Sequence, residues 1–486
     1  MLSFLKRNWV LIVIALIALF FYSFRLHQTF VMAGDTARDL IDVMNIWQNK
    51  IITFVGEPVN TISNNPVEVL FSSLYLYLGL LGLIISKFDP VGSVFVDITL
   101  TLTSLPFFFL LSKEILKKKN LAFLSTFIYA LSPITVALTR SYWEPNIVIP
   151  ISVFAWFFFL YKKSPTKYFL AGIISGIIFD IHYMNIAPIA LYITFLFFKK
   201  NKRYFFITVA GFLLAISPLI AFELRHNFFL IRAFLGTSGG FSTFSGRTLN
   251  PFLSIDTFLY VFGLGPYQYF IPALFNLTFN IRIIADSVIG IVFIYFLLKK
   301  QKLITSDLVT VIVVGLLMGW YFERWHLLAL RYILSVYPLF IISFVAFVSW
   351  MGTFLVLILF IPMIVLSINI ITHKLDPGNI TDYYPVQTVE RISEAIVSDN
   401  PTSKYNVTEN ILGDARSLAF RYFLLRDAKV KPQPVETYDR IDILYVITPS
   451  LEKTYQENRW EFVASGSKKI TWEKDFGDLK LYKFVK

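Results

Sequence analysis

Residues 8–50 read NWVLIVIALIALFFYSFRLHQTFVMAGDTARDLIDVMNIWQNK, and the contrast between the two halves of this stretch decides the fold. From Trp9 to Phe24 there is no charge, and an apolar run of about 17–22 residues is what a helix needs to cross hydrocarbon. From Gly34 onward the pattern is amphipathic. Asp35, Arg38, Asp39 and Asp42 recur at i, i+3, i+4 and i+7, which puts them on one polar stripe of a helix. Leu40, Val43, Met44 and Trp47 form the opposite face, enough to press that helix onto a bilayer surface or onto protein. An apolar helix thus leads directly into an amphipathic one.

The composition says the same of the whole chain. Of 486 residues, 56% are hydrophobic and 16% charged, and Phe occurs 51 times; mean hydropathy is +0.64. An ordinary soluble domain carries roughly 25% charged residues. Lipid must therefore solvate most of this surface. The formal charge of +12 is not a nucleic-acid footprint. Residues Lys374 to Lys486 carry 17 of the 44 basic and 17 of the 32 acidic residues, so the excess lies ahead of them. There it gathers in short loops between apolar runs, the orientation signal of membrane proteins. No cysteine is present, which excludes disulfides, thiolate nucleophiles and cysteine metal sites. The N-terminus resembles a signal peptide but lacks a small-residue cleavage site, so it reads as a retained first helix.

Apolar runs start near residues 8, 92, 120, 147, 168, 184, 204, 284, 306, 328 and 353, giving about 11 expected transmembrane helices. The fifth and sixth are short and meet around His182. The basic clusters Lys6-Arg7, Lys117-Lys118-Lys119, Lys162-Lys163, Lys199 to Arg203 and Lys299 to Lys302 all fall on the cytoplasmic side if the N-terminus is inside. Outside loops are then expected at 25–90 and 223–282. Each holds an apolar stretch, Val67 to Ser86 and Phe258 to Leu277, read as half-inserted or interfacial. Residues 1–371 form the expected transmembrane domain. Residues 372–486 form a small soluble α/β domain outside, helical over Val386–Ser398 and Ser417–Asp427 and extended around Tyr405–Thr408 and in IDILYVIT. WEFVASGSKKITWEKDFGDLKLYKFVK reads as hairpin strands with Gly turns.

Three segments could carry chemistry. The Asp35–Arg38–Asp39–Asp42 stripe offers carboxylates to take a hydroxyl proton and a guanidinium for phosphate; it is equally a solvated helix with internal ion pairs. In LTRSYWEPN, residues 138–146, Arg140 and Glu144 stand four apart, so a helix would bring them together. They make either an interfacial ion pair or a second acidic arm of one outer cavity. In FDIHYMN, residues 179–185, Asp180 and His182 lie near the membrane, where ionisable groups usually face protein. His182 could orient substrate, line the cavity or be a satisfied core residue. Glu223, Arg225 and His226 open the second outside loop, while Glu323, Arg324, His326, Arg331 and Tyr332 form a basic, aromatic group such as a lipid phosphate would need, or ordinary interfacial anchors. There is no Walker loop, dinucleotide fingerprint, HExxH or G-x-S-x-G. Asn276, Asn379 and Asn406 head Asn-x-Ser/Thr triplets, which chance explains.

Taken together, GDTARD, GEPVNTISNNPVEVLFSSLYLYLGL with FDPVG behind it, LSPITVALTRSYWEPN, DIHYMNIAPIAL and RYILSVYPLF resemble the GT-C superfamily of lipid-linked-sugar glycosyltransferases. The chain is most similar to their protein O-mannosyltransferase and aminoarabinose-transferase group, over roughly residues 1–370. The resemblance implies inverting transfer from a polyprenyl-phosphate-linked sugar to an acceptor of unknown identity, at a cavity facing outside. It makes Asp35 the general base, Arg38 the ligand of the donor phosphate and Glu144 the second acidic residue. Arg140, Arg324 and Arg331 would be further phosphate ligands, and Asp39, His182 and Tyr332 would line the cavity. Where many relatives carry His-Pro or Pro-Pro, this chain has Asn64-Asn65-Pro66, so acceptor preference does not carry over.

The expected partners are the sugar donor, the acceptor and the bilayer, with no nucleic acid. No cofactor is required, and a divalent metal would find room near Asp35 and Glu144. Asp35, Arg38 and Glu144 are expected to line one cavity. A transporter or flippase, a polysaccharide polymerase or ligase, and a scaffold without catalysis are the competing readings. The first predicts charges deep within several helices.

Overall fold

The structure is a computed structural model that describes residues 8–32, 34–58, 70–198, 202–232, 295–297, 299, 308–315, 334–372, 384–411, 416–457, 459–466 and 469–486. It is mainly helical, with two small sheets. In chain order the elements are α1 (Trp9–Ser23), α2 (Gly34–Asn49), β1 (Val55–Pro58), β2 (Leu70–Ser72), α3 (Leu74–Ile85), α4 (Phe95–Leu116), α5 (Lys119–Leu131) and α6 (Pro133–Thr139). Next come α7 (Val148–Leu160), α8 (Pro165–Ile181), α9 (Ile186–Phe198), α10 (Lys202–Ala215), α11 (Ser217–Arg225), α12 (Tyr337–Met351) and α13 (Thr353–Thr372). The C-terminal part holds α14 (Val386–Asp399), β3 (Tyr405–Glu409), α15 (Leu418–Asp427), β4 (Ile443–Thr448), α16 (Leu451–Glu457), α17 (Trp460–Ser465), β5 (Lys469–Asp475) and β6 (Lys480–Val485).

These form two units. The first comprises Met1–Phe24, Ile52–Tyr77 and Phe95–Ile370; the second comprises Arg25–Ile51, Leu78–Val94 and Ile371–Lys486.

In the first unit the helices are apolar all round. One side of α1 buries Leu11, Ile14, Ala18, Phe21 and Tyr22, yet the other exposes Trp9, Ile12, Val13, Leu16, Leu19 and Phe20. A helix with no polar face belongs in lipid. Several of the polar groups that remain are tied between helices. Tyr22 donates to the carbonyl of Ala130 (2.7 Å), Tyr337 to Ser132 Oγ (2.8 Å), Ser367 to the carbonyl of Leu131 (2.7 Å) and Trp156 Nε1 to that of Ser335 (2.6 Å). Without water, such groups must find partners inside the protein.

Among the described residues, one helical stretch, Pro90–Leu116, is long and apolar enough to cross a membrane, or up to three if each bent pair counts as one span. The bends have a local cause. Pro133, capped by Ser132 Oγ on the Thr135 N–H, restarts the helix at 47° to α5; Pro218 does the same between α10 and α11 at 61°. Other apolar runs give helices of 10–17 residues, among them α1, α7, α9 and α12. The expected break near His182 falls between α8 and α9, bridged by a 3-10 turn at Tyr183–Asn185. At 12 residues, α3 is about 18 Å long, too short to cross about 30 Å of hydrocarbon. The runs expected to start near 284 and 328, part of the one near 306, and Phe258–Leu277 lie outside the described residues.

Helices α8 and α10 approach unusually closely, through the G-x-x-x-G of Gly172 and Gly176. A Cβ on Gly172 would stand 2.0 Å from the carbonyl oxygen of Thr208, and one on Gly211 would stand 2.2 Å from that of Phe169. Backbone atoms cannot swing aside as side chains do. Gly172→Ala should therefore cost about 1–3 kcal/mol. It should show as a lower melting temperature and a smaller monodisperse fraction in detergent; an unchanged melt would mean the two helices separate freely.

In the second unit a four-stranded sheet has the order β3-β4-β6-β5, with β3 and β4 parallel and the other pairs antiparallel. Leu444, Val446, Tyr482 and Phe484 pack on one face with Tyr438, Leu451, Phe462 and Ala464. On the other face Tyr445, Lys483 and Trp472 all donate to the carboxylate of Asp399 at the end of α14, Lys483 at 2.7 Å and Trp472 at 3.1 Å. WEFVAS is a correction to the hairpin reading. It forms α17, because Gly466 (φ 63°) serves as the left-handed residue that stops a helix rather than as a hairpin turn; the strand turn falls at Gly477 (φ 89°).

Burial alone would raise the Asp399 carboxyl. The hydrogen bonds from Lys483 and Tyr445, the Lys483 charge and the Trp472 indole outweigh it and hold the group below its ordinary value of 3.8. A carboxyl depressed on folding stabilises above its unfolded value and loses that contribution as pH falls through the folded one. The second unit should therefore weaken below about pH 4. Asp399→Asn should lower its stability at pH 7 by on the order of 2 kcal/mol and flatten the acid limb. Proteolysis of this region against pH would show both effects; an acid limb identical to wild type would exclude Asp399 as its source.

Segments from the first third of the chain complete this unit. The N–H of Val386 donates to the carbonyl of Phe30 (2.8 Å), and α2 packs against α15. Lys87 and Phe88 are both left-handed (φ 56° and 64°), a conformation that is costly for residues with a Cβ. They are held there because the carbonyl of Phe88 accepts from Tyr422 Oη (2.9 Å) and Arg426 Nη1 (3.1 Å), while His27 Nε2 and Asp89 Oδ2 meet at 2.8 Å.

Candidate active site

The polar stripe expected on the first amphipathic helix is present on α2. Thr36, Ala37, Asp39, Leu40, Val43 and Met44 are its buried residues, so the helix lies with Asp39 at the edge of its packed face. Arg38 organises the stripe. Its Nε (3.0 Å) and Nη2 (2.7 Å) both donate to Asp39 Oδ1, and its Nη1 donates to Asp35 Oδ1 at 3.0 Å. The two arms differ in exposure: the side chain of Asp39 is 6% exposed and that of Asp35 is 54%. Asp39 is thus a buried anchor that fixes the guanidinium plane. Asp35 is an accessible carboxylate held by one edge of it. An exposed pair of this kind contributes little to stability, so its value lies in placing a carboxylate and a cation side by side.

Arg140, Glu144 and His182 belong to the other unit. The expectation that Arg140 and Glu144 share a helical face is corrected. Helix α6 stops at Thr139, where Asn146 takes over free carbonyls, and Pro145 disfavours helix at Glu144. The Asn146 amide donates to the carbonyls of Leu138 (3.2 Å) and Ser141 (3.0 Å). Arg140 is buried, and its Nη1 and Nη2 donate to the carbonyls of Phe21 (2.7 Å) and Phe24 (2.9 Å), the last turn of α1. A cation on those carbonyls meets the negative end of the helix dipole. Tyr142 stacks on Tyr75 at 4.4 Å and donates to its carbonyl at 3.3 Å, and Glu144 beside them is half-buried.

His182 is buried at the end of α8, and nearby Asn185 accepts the N–H of Ser335 at 3.3 Å. Glu223 is buried and caps the turn after α11, accepting the N–H groups of Leu230 (2.9 Å) and Ile231 (3.0 Å). Arg324, Arg331 and Tyr332 lie outside the described residues. Asn406 is buried in β3, its amide donating to the carbonyl of Pro434 and accepting from Arg421, so this Asn-x-Thr is not a surface acceptor.

Sequence reasoning missed Asp97. It lies in α4, 3% exposed, with Oδ2 finding no hydrogen-bond partner among the described residues. The signal was one carboxylate in VFVDITLTL, where an ionisable group is costly and rarely idle.

Among the described residues no group of three or more His, Asp or Glu side chains is placed to hold a metal ion. On α2 both Asp35 and Asp39 are turned onto Arg38. These two residues do not present a metal-ligand set.

No family model matches the sequence, and no curated protein matches it. Among solved structures, the chain is similar to ArnT from Cupriavidus metallidurans bound to undecaprenyl phosphate, at 9% identity and a TM-score of 0.49, covering 99% of this chain and 98% of that one. It is also similar to the oligosaccharyltransferase AglB from Archaeoglobus fulgidus in complex with an inhibitory peptide and a dolichol-phosphate, at 13% identity, TM-score 0.48, covering 98% and 74%. The Archaeoglobus fulgidus oligosaccharyltransferase in complex with Zn and sulfate has 14% identity and a TM-score of 0.46, covering 90% of this chain and 67% of that one. These are proteins of the GT-C kind that the motifs resemble, and two of them hold a polyprenyl phosphate. No residue-by-residue correspondence follows from a likeness at this level.

Proposed function

We propose that this chain is an integral membrane glycosyltransferase that moves a sugar from a polyprenyl-phosphate donor to an acceptor at the outer face, with inversion. The observation that carries the reading is the Asp35–Arg38–Asp39 arrangement on α2: an accessible carboxylate beside a guanidinium that a buried carboxylate holds in place.

In the reaction, Asp35 takes the proton of the acceptor hydroxyl. The acceptor oxygen forms its bond to the anomeric carbon as the bond from that carbon to the phosphate oxygen breaks, and the electron pair leaves with the polyprenyl phosphate. As Asp35 becomes neutral on taking the proton, Arg38 Nη1, on a guanidinium that Asp39 holds in place, donates to the phosphate oxygens as their charge grows. The donor already carries an activated phosphate, so the step needs no nucleotide. On the motif resemblance alone, Glu144 is proposed as a second acidic residue, Arg324 and Arg331 as phosphate ligands, and His182 and Tyr332 as cavity residues.

The proposed topology has eleven spans, the N-terminus in the cytoplasm and the C-terminal domain outside. A reporter active only in the cytoplasm and fused after Lys486 should stay silent; a strong signal would reverse the sidedness. The deciding assay for function is in-membrane transfer from a panel of radiolabelled polyprenyl-phosphate sugars to endogenous envelope acceptors. Label appearing in a non-polyprenyl product supports the reading, and no transfer from any donor by well-folded protein overturns it. Asp97, an ionisable group inside an apolar helix, is what favours a transporter as the second reading, and label crossing the bilayer without transfer would select it.

A further inference from the structure

The end of α3 is fastened to the start of the Pro90–Leu116 helical stretch. A Cβ on Gly82 would stand 2.0 Å from the carbonyl oxygen of Gly92, and Ser86 Oγ donates to the carbonyl of Asp89 at 2.9 Å. Gly92 lies in the first turns of that stretch, so α3 ends beside the mouth of a membrane span. Gly82 and Leu83 face inward. Leu81, Ile84 and Ile85, at i, i+3 and i+4, share the outward face and are 56%, 38% and 73% exposed. Since α3 is too short to span, this apolar face belongs at the boundary between headgroups and acyl chains.

Cations rim the face. Helix α3 closes with the N–H of Phe88 on the carbonyl of Leu83 (2.7 Å), and α2 closes in the same way with the N–H of Ile51 on that of Ile46 (3.2 Å). The left-handed position in such a cap usually belongs to glycine. Here it holds Lys87 (φ 56°) in one helix and Lys50 (φ 55°) in the other, both exposed. A lysine there bears a backbone cost that glycine avoids, and what it adds is an ammonium. The two helix ends meet. The rings of Trp47 and Phe88 stand 6.4 Å apart, and Lys50 Nζ lies 4.0 Å over the Trp47 ring. The Asp89 carboxylate in the same turn is occupied by His27 Nε2 (2.8 Å) and the N–H of Val91 (3.0 Å). Neither lysine has an ion-pair partner among the described residues.

We propose that this surface binds anionic phospholipid of the bilayer, with Leu81, Ile84 and Ile85 at the acyl boundary and Lys50 and Lys87 on the headgroup phosphates. Basic side chains beside a bilayer favour anionic over zwitterionic headgroups. The half-exposed Trp47 between the two lysines suits the same level, its ring in the boundary and its N–H in water. The contact fixes the end of α2 that is far from Asp35, so the lipid holds the helix without occupying the carboxylate. It rests on the membrane location of the chain and not on the transfer chemistry.

The chain has no cysteine, so a single introduced one reports from a single place. Full-length Ile85→Cys, carrying an environment-sensitive fluorophore, is placed in nanodiscs of mixed phosphatidylcholine and phosphatidylglycerol. Trace doxyl-labelled phosphatidylglycerol should quench the label about twofold or more beyond the same amount of doxyl-labelled phosphatidylcholine. Adding Lys50→Gln and Lys87→Gln together should make the two lipids equal while both still quench. Asp35→Asn should keep the wild-type ratio, which separates this surface from the transfer reading. Where Ile85→Cys fails to fold, Leu81→Cys on the same face takes its place. No quenching by either lipid, equal quenching by the two in the chain with both lysines, or an unchanged ratio without them would each overturn the proposal.

Discussion

Asp35→Asn should lower the rate of sugar transfer by about 10²–10⁴-fold, the range that a positioned general base supplies. It should do so without loss of folded protein. The asparagine keeps the shape of the side chain and can still meet Arg38 Nη1 through its amide oxygen, and the side chain it replaces is 54% exposed, so little packing is disturbed. What it cannot do is accept a proton. The effect should fall on kcat with the melting temperature unchanged. Asp39→Asn should behave differently, because Asp39 grips two nitrogens of Arg38 from a buried position. Its loss frees the guanidinium, and KM for the donor should rise. Wild-type turnover by a well-folded Asp35→Asn variant would remove Asp35 from the mechanism.

Arg140→Met should produce the second large effect, on stability. Two charge-assisted hydrogen bonds to backbone carbonyls fasten the end of α1 to the turn after α6. Each such bond contributes about 1.5–3 kcal/mol, and removing the donor leaves buried carbonyls without it. A loss of roughly 3–5 kcal/mol should appear as a sharp fall in melting temperature and as new protease cleavage after α1. Arg140→Lys should recover part of it, since an ammonium can reach one carbonyl but cannot fork to two. If Arg140→Met melts as wild type does and only KM for the donor rises, Arg140 is a phosphate ligand and the backbone contacts are incidental.

The sequence was most legible where periodicity is local. The stripe on α2, the apolar α1, the break at His182 and the order of α14, β3, α15, β4 and the last hairpin all follow from spacing within a dozen residues. Even the Arg38 geometry is local, since its partners stand one and three residues away. It was less legible where a single residue changes the path. Pro133, Pro145 and Pro218 turn apolar runs into bent pairs and end α6 short of Glu144, so spans counted from hydropathy differ from helices counted along the backbone. Gly466 could end a helix or turn a hairpin, and only packing of Phe462 and Ala464 on the sheet decides for the helix. Asp97 was one letter in an apolar run. That β3 and β4 are parallel neighbours is encoded in no local pattern either.

The second unit joins residues Arg25–Ile51 and Leu78–Val94 to Ile371–Lys486, and this sets a schedule for biosynthesis. The helix that carries Asp35 is made early, but α15, against which it packs, ends at Asp427, and the Tyr422 and Arg426 that hold Phe88 emerge just before it. At about 5–20 residues per second, the ribosome needs tens of seconds to deliver them. Until then the amphipathic segment has no protein to bury Leu40, Val43 and Met44 against, and it must wait on the bilayer or with a chaperone. A nascent chain stopped before residue 418 would thus hold every residue of the Asp35–Arg38–Asp39 set and still lack the surface that seats it. Emergence of α15 is the step on which assembly of this part of the site waits.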